Sequence, residues 1–295
     1  MRENYPRQEI MMSGHLACQG CGGSAAMRHV LKAMGPDTII VQPACCWTII
    51  GGMFPYSALK VPVFHTAFET SGAALSGIKA ALDMKGDTKT QVMAFAGDGG
   101  TFDIGLQALS GAAERNEDVI YFCYDNEAYM NTGVQRSGAT PDKAWTTTTP
   151  ANAPKEGPKK NIVQILAGHK VPYIATANVA FPEDLIAKVK KAKEIRGTKF
   201  IHILSPCPPG WKIASDMTIE IARLATYTKV FPVYEVFDGE RYNINIEPRD
   251  IPVFEYLKPQ GRFRHLTEQD VEEIQRRVNY EWRTLLHKAM DEYYQ

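Results

Sequence analysis

The sequence has no excess of charge of either sign: Lys and Arg together number 33, and so do Asp and Glu. A chain of zero formal net charge projects no field that gathers nucleic acid or an anionic membrane, so neither is expected as a partner. Weak self-repulsion of this kind suits a surface buried against other subunits. No apolar run approaches the roughly 18 residues of a membrane span. The opening stretch MRENYPRQEI has no basic region followed by an apolar one, so no export signal is expected and the chain reads as cytoplasmic. The pattern G-x-x-x-x-G-K-[ST] is missing, which removes a nucleoside-triphosphate loop. Internal repeats and low-complexity tracts are missing as well.

What is present is an α/β pattern. From about residue 24 to 230, short β-branched or aromatic runs at 38–42, 61–64, 91–96, 119–124, 171–177 and 200–204 alternate with apolar residues at helical spacing over 67–82, 104–113, 183–195 and 217–227. Such alternation predicts a mostly parallel sheet flanked by helices. The Gly-, Thr- and Pro-rich stretch 131–158, which includes WTTTTP, is too long for an idle loop and points to function. After residue 231 the chain turns polar and Pro-punctuated, then closes in a helix opened by Thr267 and Asp270, a capping-box variant. The expected organisation is a domain over 1–230 and an extension or arm over 231–295 that packs on the domain or on a partner.

The run VMAFAGDGGTFDIG stops at Gly97-Asp98-Gly99-Gly100, where a strand should give way to a helix. Ligands of open parallel sheets sit at the carboxyl ends of strands, and the first turn of the next helix offers unpaired N–H groups to a phosphate. Asp98 would repel a bare phosphate, so a hard divalent cation such as Mg²⁺ is expected between them. The next strand ends at Asp125-Asn126 in YDNEAYMNTG. If it neighbours the first, Asn126 can add an amide oxygen and Ala128 a backbone carbonyl to the same ion. The plainer alternative is an ordinary βα turn and a capping Asn126. The stretch GCGGSA also fits a dinucleotide fingerprint, but no strand precedes it and it overlaps a cysteine pair.

Six cysteines stand at positions 18, 21, 45, 46, 123 and 207. In a reducing compartment such clusters are more often metal ligands or redox groups than disulfides. Cys18 and Cys21 form a C-x-x-C pair, with Cys46 and Cys207 downstream. Four thiolates suit either zinc or an iron–sulfur cluster, and a redox pair is a further option. Cys123 lies inside an apolar strand and reads as core. His15 precedes the pair and His65 ends the run 61–64; each is a candidate at the cofactor cleft or a packing histidine.

GDGG followed 28 residues later by the Asn of YDNEAYMNTG resembles the thiamine-diphosphate signature. More specifically, GHLACQGCG, NTGVQRSGATPDKAWTTTTP and SPCPPGW resemble the thiamine-binding β subunit of the 2-oxoacid:ferredoxin oxidoreductases, the pyruvate enzymes above all, over nearly the whole chain. The resemblance implies oxidative decarboxylation of a 2-oxoacid, pyruvate first, with oxalate or a branched-chain 2-oxoacid behind it. It implies Gly97, Asp98, Gly99, Gly100, Asn126 and Ala128 around the diphosphate, with Asp98, Asn126 and the Ala128 carbonyl as Mg²⁺ ligands. Asn131 then stands beside the reactive end of the cofactor, and Asn131 and His65 are the catalytic candidates. Cys18, Cys21, Cys46 and Cys207 are implied to hold a [4Fe–4S] cluster, Cys46 being preferred to Cys45 because CWTIIGG follows it at the family's spacing. Gly23 departs from the Glu that pyruvate members often carry two residues after the second cysteine. Only one Gly-Asp-Gly turn exists, and Glu69 sits in a helical pattern, so partner subunits are expected to supply the activating Glu, the coenzyme A site and ferredoxin-like clusters, with ferredoxin as electron acceptor. The rival from another class is a zinc-stabilised scaffold subunit without catalysis.

Overall fold

Runs that are apolar without alternation become strands buried on both faces, as a parallel sheet with two helical layers requires. Ile120–Asp125, IYFCYD, is buried at every position. The computed structural model describes residues 5–290. In chain order its elements are α1 (Gly22–Met34), β1 (Thr38–Pro43), α2 (Cys46–Ile50), β2 (Val63–Thr66), α3 (Ser71–Met84), β3 (Gln91–Gly97), α4 (Leu106–Glu114), β4 (Ile120–Asp125), α5 (Ile162–Ala167) and β5 (Tyr173–Asn178). There follow α6 (Pro182–Glu194), β6 (Lys199–Leu204), α7 (Pro208–Trp211), α8 (Thr218–Tyr227), β7 (Val233–Phe237), β8 (Arg241–Ile246), α9 (Val253–Leu257) and α10 (Glu268–Met290). The six strands expected from the sequence are all present. α6 shows why the helical spans were legible: Pro182 opens it, Glu183 and Asp184 lie in its first turn, and Lys191 and Lys193 lie in its last.

The sheet runs in the order β2-β1-β3-β4-β6-β5-β7-β8. The first six strands are parallel. From β1 the chain moves outward to β2, whereas from β3 it moves the other way to β4. The β1–β3 boundary is therefore the topological switch point, the place where a crevice opens at the carboxyl ends. The loops at that crevice carry Cys45-Cys46 after β1 and Gly97–Gly100 after β3. One face is covered by α1 and α6 over a core of Met27, Phe95, Phe122 and Val189; the other carries Leu75, Leu109, Tyr121 and Trp282. Among the described residues no helix is long and apolar enough to cross a membrane.

Strands after residue 230 were not expected, yet β7 pairs antiparallel with β5, and β8 with β7. Asp238 and Gly239 both take positive φ in the connecting turn, and Glu240 N–H donates to Phe237 O. An Asp-Gly pair between strand-like runs signals a tight hairpin, so the cue was present and the surrounding polar residues hid it. The helix start at Thr267 forms as expected: Asp270 N–H donates to Thr267 Oγ1 at 3.2 Å and Thr267 N–H to Asp270 Oδ2 at 2.8 Å. α10 then ties down the loop 131–158 through Lys143 with Asp270 and Glu273, and through Arg277 with Asp142 at 2.7 Å.

Phe122 is fully buried at the centre of β4. Phe122→Ala should cost about 3–5 kcal/mol, read as a lower thermal midpoint of the purified chain; an unchanged midpoint would contradict this account of the core.

Candidate functional site

Asp98 follows β3 and is almost wholly buried. Its Oδ2 accepts a 2.6 Å hydrogen bond from Ser137 Oγ. Among the described residues no side-chain cation forms an ion pair with it, and burial, with the charge of Asp125 adding, raises its pKa well above the carboxylate range. The side-chain oxygen of Asn126 faces Ala128 O at 2.9 Å and Asp98 Oδ1 at 3.0 Å; with the amide turned over, its nitrogen donates to both. Three oxygens, one of them from the buried Asp98 carboxylate, thus crowd together, and among the described residues that carboxylate has no paired cation. An octahedral Mg²⁺, at about 2.0–2.1 Å from its ligands, needs neighbouring oxygens about 2.9 Å apart. The donor set fits that ion.

The glycines have separate reasons. A Cβ at Gly99 would stand 2.2 Å from the Tyr129 ring, so only glycine lets that ring close on the turn. The Tyr129 hydroxyl donates to Asp103 Oδ2 at 2.8 Å, as does the Gly138 N–H. Gly100 begins a π-helical turn that runs to Ile104, a distortion often found at functional sites. A Cβ at Gly97 would lie 3.6 Å from that of Cys45, so the two loops at the switch point touch.

Between Asn126 and Ala128 stands Glu127, with φ +67°. A left-handed conformation at a residue with a Cβ costs about 1 kcal/mol or more. Its N–H donates to Asp125 Oδ1 at 2.9 Å and its C=O accepts from Thr140 Oγ1 at 2.7 Å. Its carboxylate lies between Lys159 Nζ at 2.9 Å and Arg262 Nη2 at 2.7 Å. Lys159 also reaches Asp125, whose Oδ2 contacts His202 Nε2 at 2.6 Å. Burial opposes the charge on Asp125, but Lys159 and His202 outweigh it and hold the pKa low; burial lowers that of His202. The two carboxylates Asp125 and Glu127 are matched by the two cations Lys159 and Arg262. Asp98 is left over.

The cysteines gather at helix starts. Cys21 and Cys207 are the residues before α1 and α7, and Cys46 is the first residue of α2. Burial pushes the Cys46 thiol up to about 12, with negative charge on Cys45, Cys207 and Cys21 adding to it. Burial likewise raises Cys207 to about 11; the Gly210 N–H works against this, while Cys21 and Cys18 add to it. These four thiols feel one another. Cys45 bears on Cys46 but is itself held differently: burial raises its pKa, hydrogen bonding to Tyr124 works against this, and Gln42 Nε2 donates to its sulfur at 2.9 Å. Among the described residues no three His, Cys, Asp or Glu side chains close round a single metal ion, as tetrahedral zinc with Zn–S near about 2.3 Å would need. Soft thiols that influence one another electrostatically, with backbone N–H groups reaching Cys21 and Cys207, have the ligand chemistry of an iron–sulfur group. A Cβ at Gly23 would meet the Tyr124 ring at 3.3 Å and Cys21 Sγ at 3.7 Å, so a Glu there would need Tyr124 to move.

The remaining candidates scatter. His65 is exposed on the sheet-edge strand β2, opposite Gln42 and two strands from β3. Asn131 is exposed three residues beyond Ala128. His15 is half-buried and accepts from Ala17 N–H at 3.3 Å. Glu69 is exposed just before α3. Cys123 is fully buried in β4. Ser137, Glu127, Lys159, His202 and Arg262 escaped the sequence reading because their partners lie far along the chain, 135 positions apart for Glu127 and Arg262.

The family model for the C-terminal TPP-binding domain of thiamine pyrophosphate enzymes matches residues 46–203. The ketoisovalerate oxidoreductase subunit VorB of Pyrococcus abyssi is 52% identical, covering 96% of this chain and 94% of that protein. The pyruvate synthase subunit PorB of Methanocaldococcus jannaschii is 48% identical, covering 93% and 96%. The solved 2-oxoglutarate:ferredoxin oxidoreductase from Magnetococcus marinus, with 2-oxoglutarate, coenzyme A and succinyl-CoA bound, aligns at a TM-score of 0.60 and 20% identity over 76% of this chain and 81% of that one. This last likeness shows a shared fold.

Asp98 holds its proton more tightly in the folded chain than in the unfolded one. In the metal-free chain its contribution is therefore fully favourable below the unfolded pKa of about 3.9 and is lost as pH rises toward the folded value. Asp98→Asn should stabilise the metal-free chain at pH 7 by on the order of 1–3 kcal/mol, the gain shrinking in acid. Melting curves at both pH values check this; a less stable variant at pH 7 would refute it.

Proposed function

The chain belongs to the family of thiamine-pyrophosphate-binding subunits of the 2-oxoacid:ferredoxin oxidoreductases, and from that membership we propose that Asp98, Asn126 and the Ala128 carbonyl hold Mg²⁺ for thiamine diphosphate while Cys18, Cys21, Cys46 and Cys207 hold a [4Fe–4S] cluster. It is a subunit of a thiamine-dependent 2-oxoacid oxidoreductase. The observation that supports the cofactor assignment is the crowding of three oxygens, from Asp98, Asn126 and Ala128, at a buried carboxylate with no paired cation among the described residues.

When bound, thiamine diphosphate supplies the carbon nucleophile that attacks a 2-oxo carbon and releases carbon dioxide, and the cluster supplies a one-electron acceptor. This chain's residues bind and orient. Gly97, Gly99 and Gly100, with the N–H groups of the first turn after β3, would receive the diphosphate. Ser137 fixes the Asp98 carboxylate so that Oδ1 remains turned toward Asn126. Asn131 and His65 are the chain's candidates for contact with the reacting atoms. The cofactor-binding domain is read as 1–230 and residues 231–295 as its extension. Other subunits complete the complex, supplying the activating Glu, the coenzyme A site and the clusters that pass electrons to ferredoxin. A reducing, cytoplasmic setting keeps the four thiols available.

Pyruvate is the first substrate reading. A branched-chain 2-oxoacid is the second, favoured by 51–52% identity to ketoisovalerate subunits against 48% to a pyruvate one. Turnover of the purified complex with pyruvate, 2-ketoisovalerate and oxalate, and an artificial electron acceptor, ranks them by kcat/KM. The expected result is thiamine-dependent reduction by the complex and none by the isolated chain. Sustained turnover by the isolated chain, or a colourless complex containing zinc and no iron, would overturn the reading.

Serine at Cys18, Cys21, Cys46 or Cys207 should lower the iron content of the complex, because thiolate is the soft ligand that cluster iron prefers. Serine at Cys45 should leave iron nearly unchanged. The reverse result for the vicinal pair would move the third ligand to Cys45.

A further inference from the structure

Two of the three cation-facing oxygens come from residues 126 and 128, on either side of a residue that is not glycine yet holds φ +67°. In extended or helical backbone, Asn126 and Ala128 would not present a side chain and a carbonyl to one point. The turn is thus a condition for the site, and its conformation must be imposed from outside. What imposes it is visible. The Glu127 side chain is 4% exposed and lies between two cations, Lys159 Nζ at 2.9 Å and Arg262 Nη2 at 2.7 Å. Arg262 stacks on the Trp211 ring at 3.7 Å, and Trp211 Nε1 donates to the Asn126 carbonyl at 2.8 Å. Lys159 is shared with Asp125, the residue that begins the turn. Lys159 therefore grips the turn at two places, and Arg262 holds it directly at Glu127 and indirectly, through Trp211, at Asn126.

We propose that Glu127 is a positioning residue for the cation site: its buried carboxylate, fixed between Lys159 and Arg262, locks the left-handed turn that aims the Asn126 amide and the Ala128 carbonyl at the point faced by Asp98. The proposal rests on the reading of Asp98, Asn126 and Ala128 as cation ligands. Glu127 does not face the ion. It acts through the backbone on both sides of itself, and the arginine that holds it comes from the extension, close in space though far along the chain. This gives residues 231–295 a part in cofactor binding beyond covering the sheet.

The test uses the assembled complex freed of metal, with Mn²⁺ as probe at saturating thiamine diphosphate; bound and free Mn²⁺ are read by electron paramagnetic resonance. Glu127→Ala should weaken Mn²⁺ binding by about tenfold or more, the usual effect of losing a partner that orients a metal ligand. Arg262→Lys should keep charge but lose the stacked fork, giving a smaller loss. Circular dichroism and iron content establish that the variants are folded. Unchanged Mn²⁺ affinity in folded Glu127→Ala overturns the proposal. If that variant does not assemble, Glu127→Gln, which keeps the shape and removes the charge, decides by the same measurement: weaker binding supports the proposal and unchanged binding overturns it. Asp98→Ala separates the two readings. If it binds Mn²⁺ as tightly as the parent, the cation site itself is wrong; if it loses Mn²⁺ while the Glu127 variants do not, only the role of Glu127 falls.

Discussion

A carboxylate buried at the end of a central strand, with no side-chain cation paired to it among the described residues, sets the terms for what surrounds it. Asp98 stays in water's absence only as a neutral acid or beside an external cation. Its neighbours are consistent with the second state. Ser137 holds one oxygen, and the other lies 3.0 Å from the Asn126 amide, which itself lies 2.9 Å from the Ala128 carbonyl. The nearby carboxylates Asp125 and Glu127 are already neutralised by Lys159 and Arg262, so neither cation is free to answer Asp98. A site with one carboxylate unanswered by protein charge is suited to an ion that brings an anionic ligand with it.

Sheet topology brings the two halves of the chemistry together. Strand order reverses at the β1–β3 boundary, so the loop after β1 and the loop after β3 share one crevice. The Gly-Asp-Gly turn and the vicinal cysteines are 52 positions apart in sequence from Cys46 to Asp98, yet a Cβ on Gly97 would touch Cys45. Tyr124, from β4, joins them: its hydroxyl accepts the Cys46 N–H at 3.0 Å, and its ring lies against Gly23 beside Cys21. An electron acceptor held by these thiols and a cofactor held at Asp98 would share the walls of one cleft.

The long loop is held from outside the cleft. Asp103 takes the Tyr129 hydroxyl and the Gly138 N–H, while the start of α10 takes Lys143 and Arg277 pairs with Asp142. Those outer pairs are partly exposed, and exposed pairs contribute little each. Their value is geometric, in fixing the path of a chain that brings Ser137 to Asp98.

The sequence by itself determined the six parallel strands, the helices between them and the residue types of the site, because apolar periodicity, glycine turns and cysteine spacing are local properties. The glycine turn at the end of β3 and Asn126 just beyond β4 were legible from motifs; the expectation of a hard cation came from one carboxylate placed where a phosphate belongs, and the preference for Cys46 over Cys45 from the family resemblance. Tertiary structure decided the rest. The hairpin of β7 and β8 forms because β5 offers an open edge to pair with, a condition no window of sequence contains. Glu127 reads as one more acidic residue in NEAY until Lys159 and Arg262, the latter stacked on Trp211, meet it from distant segments. Its burial at a left-handed position between two cations is a property of the folded chain alone.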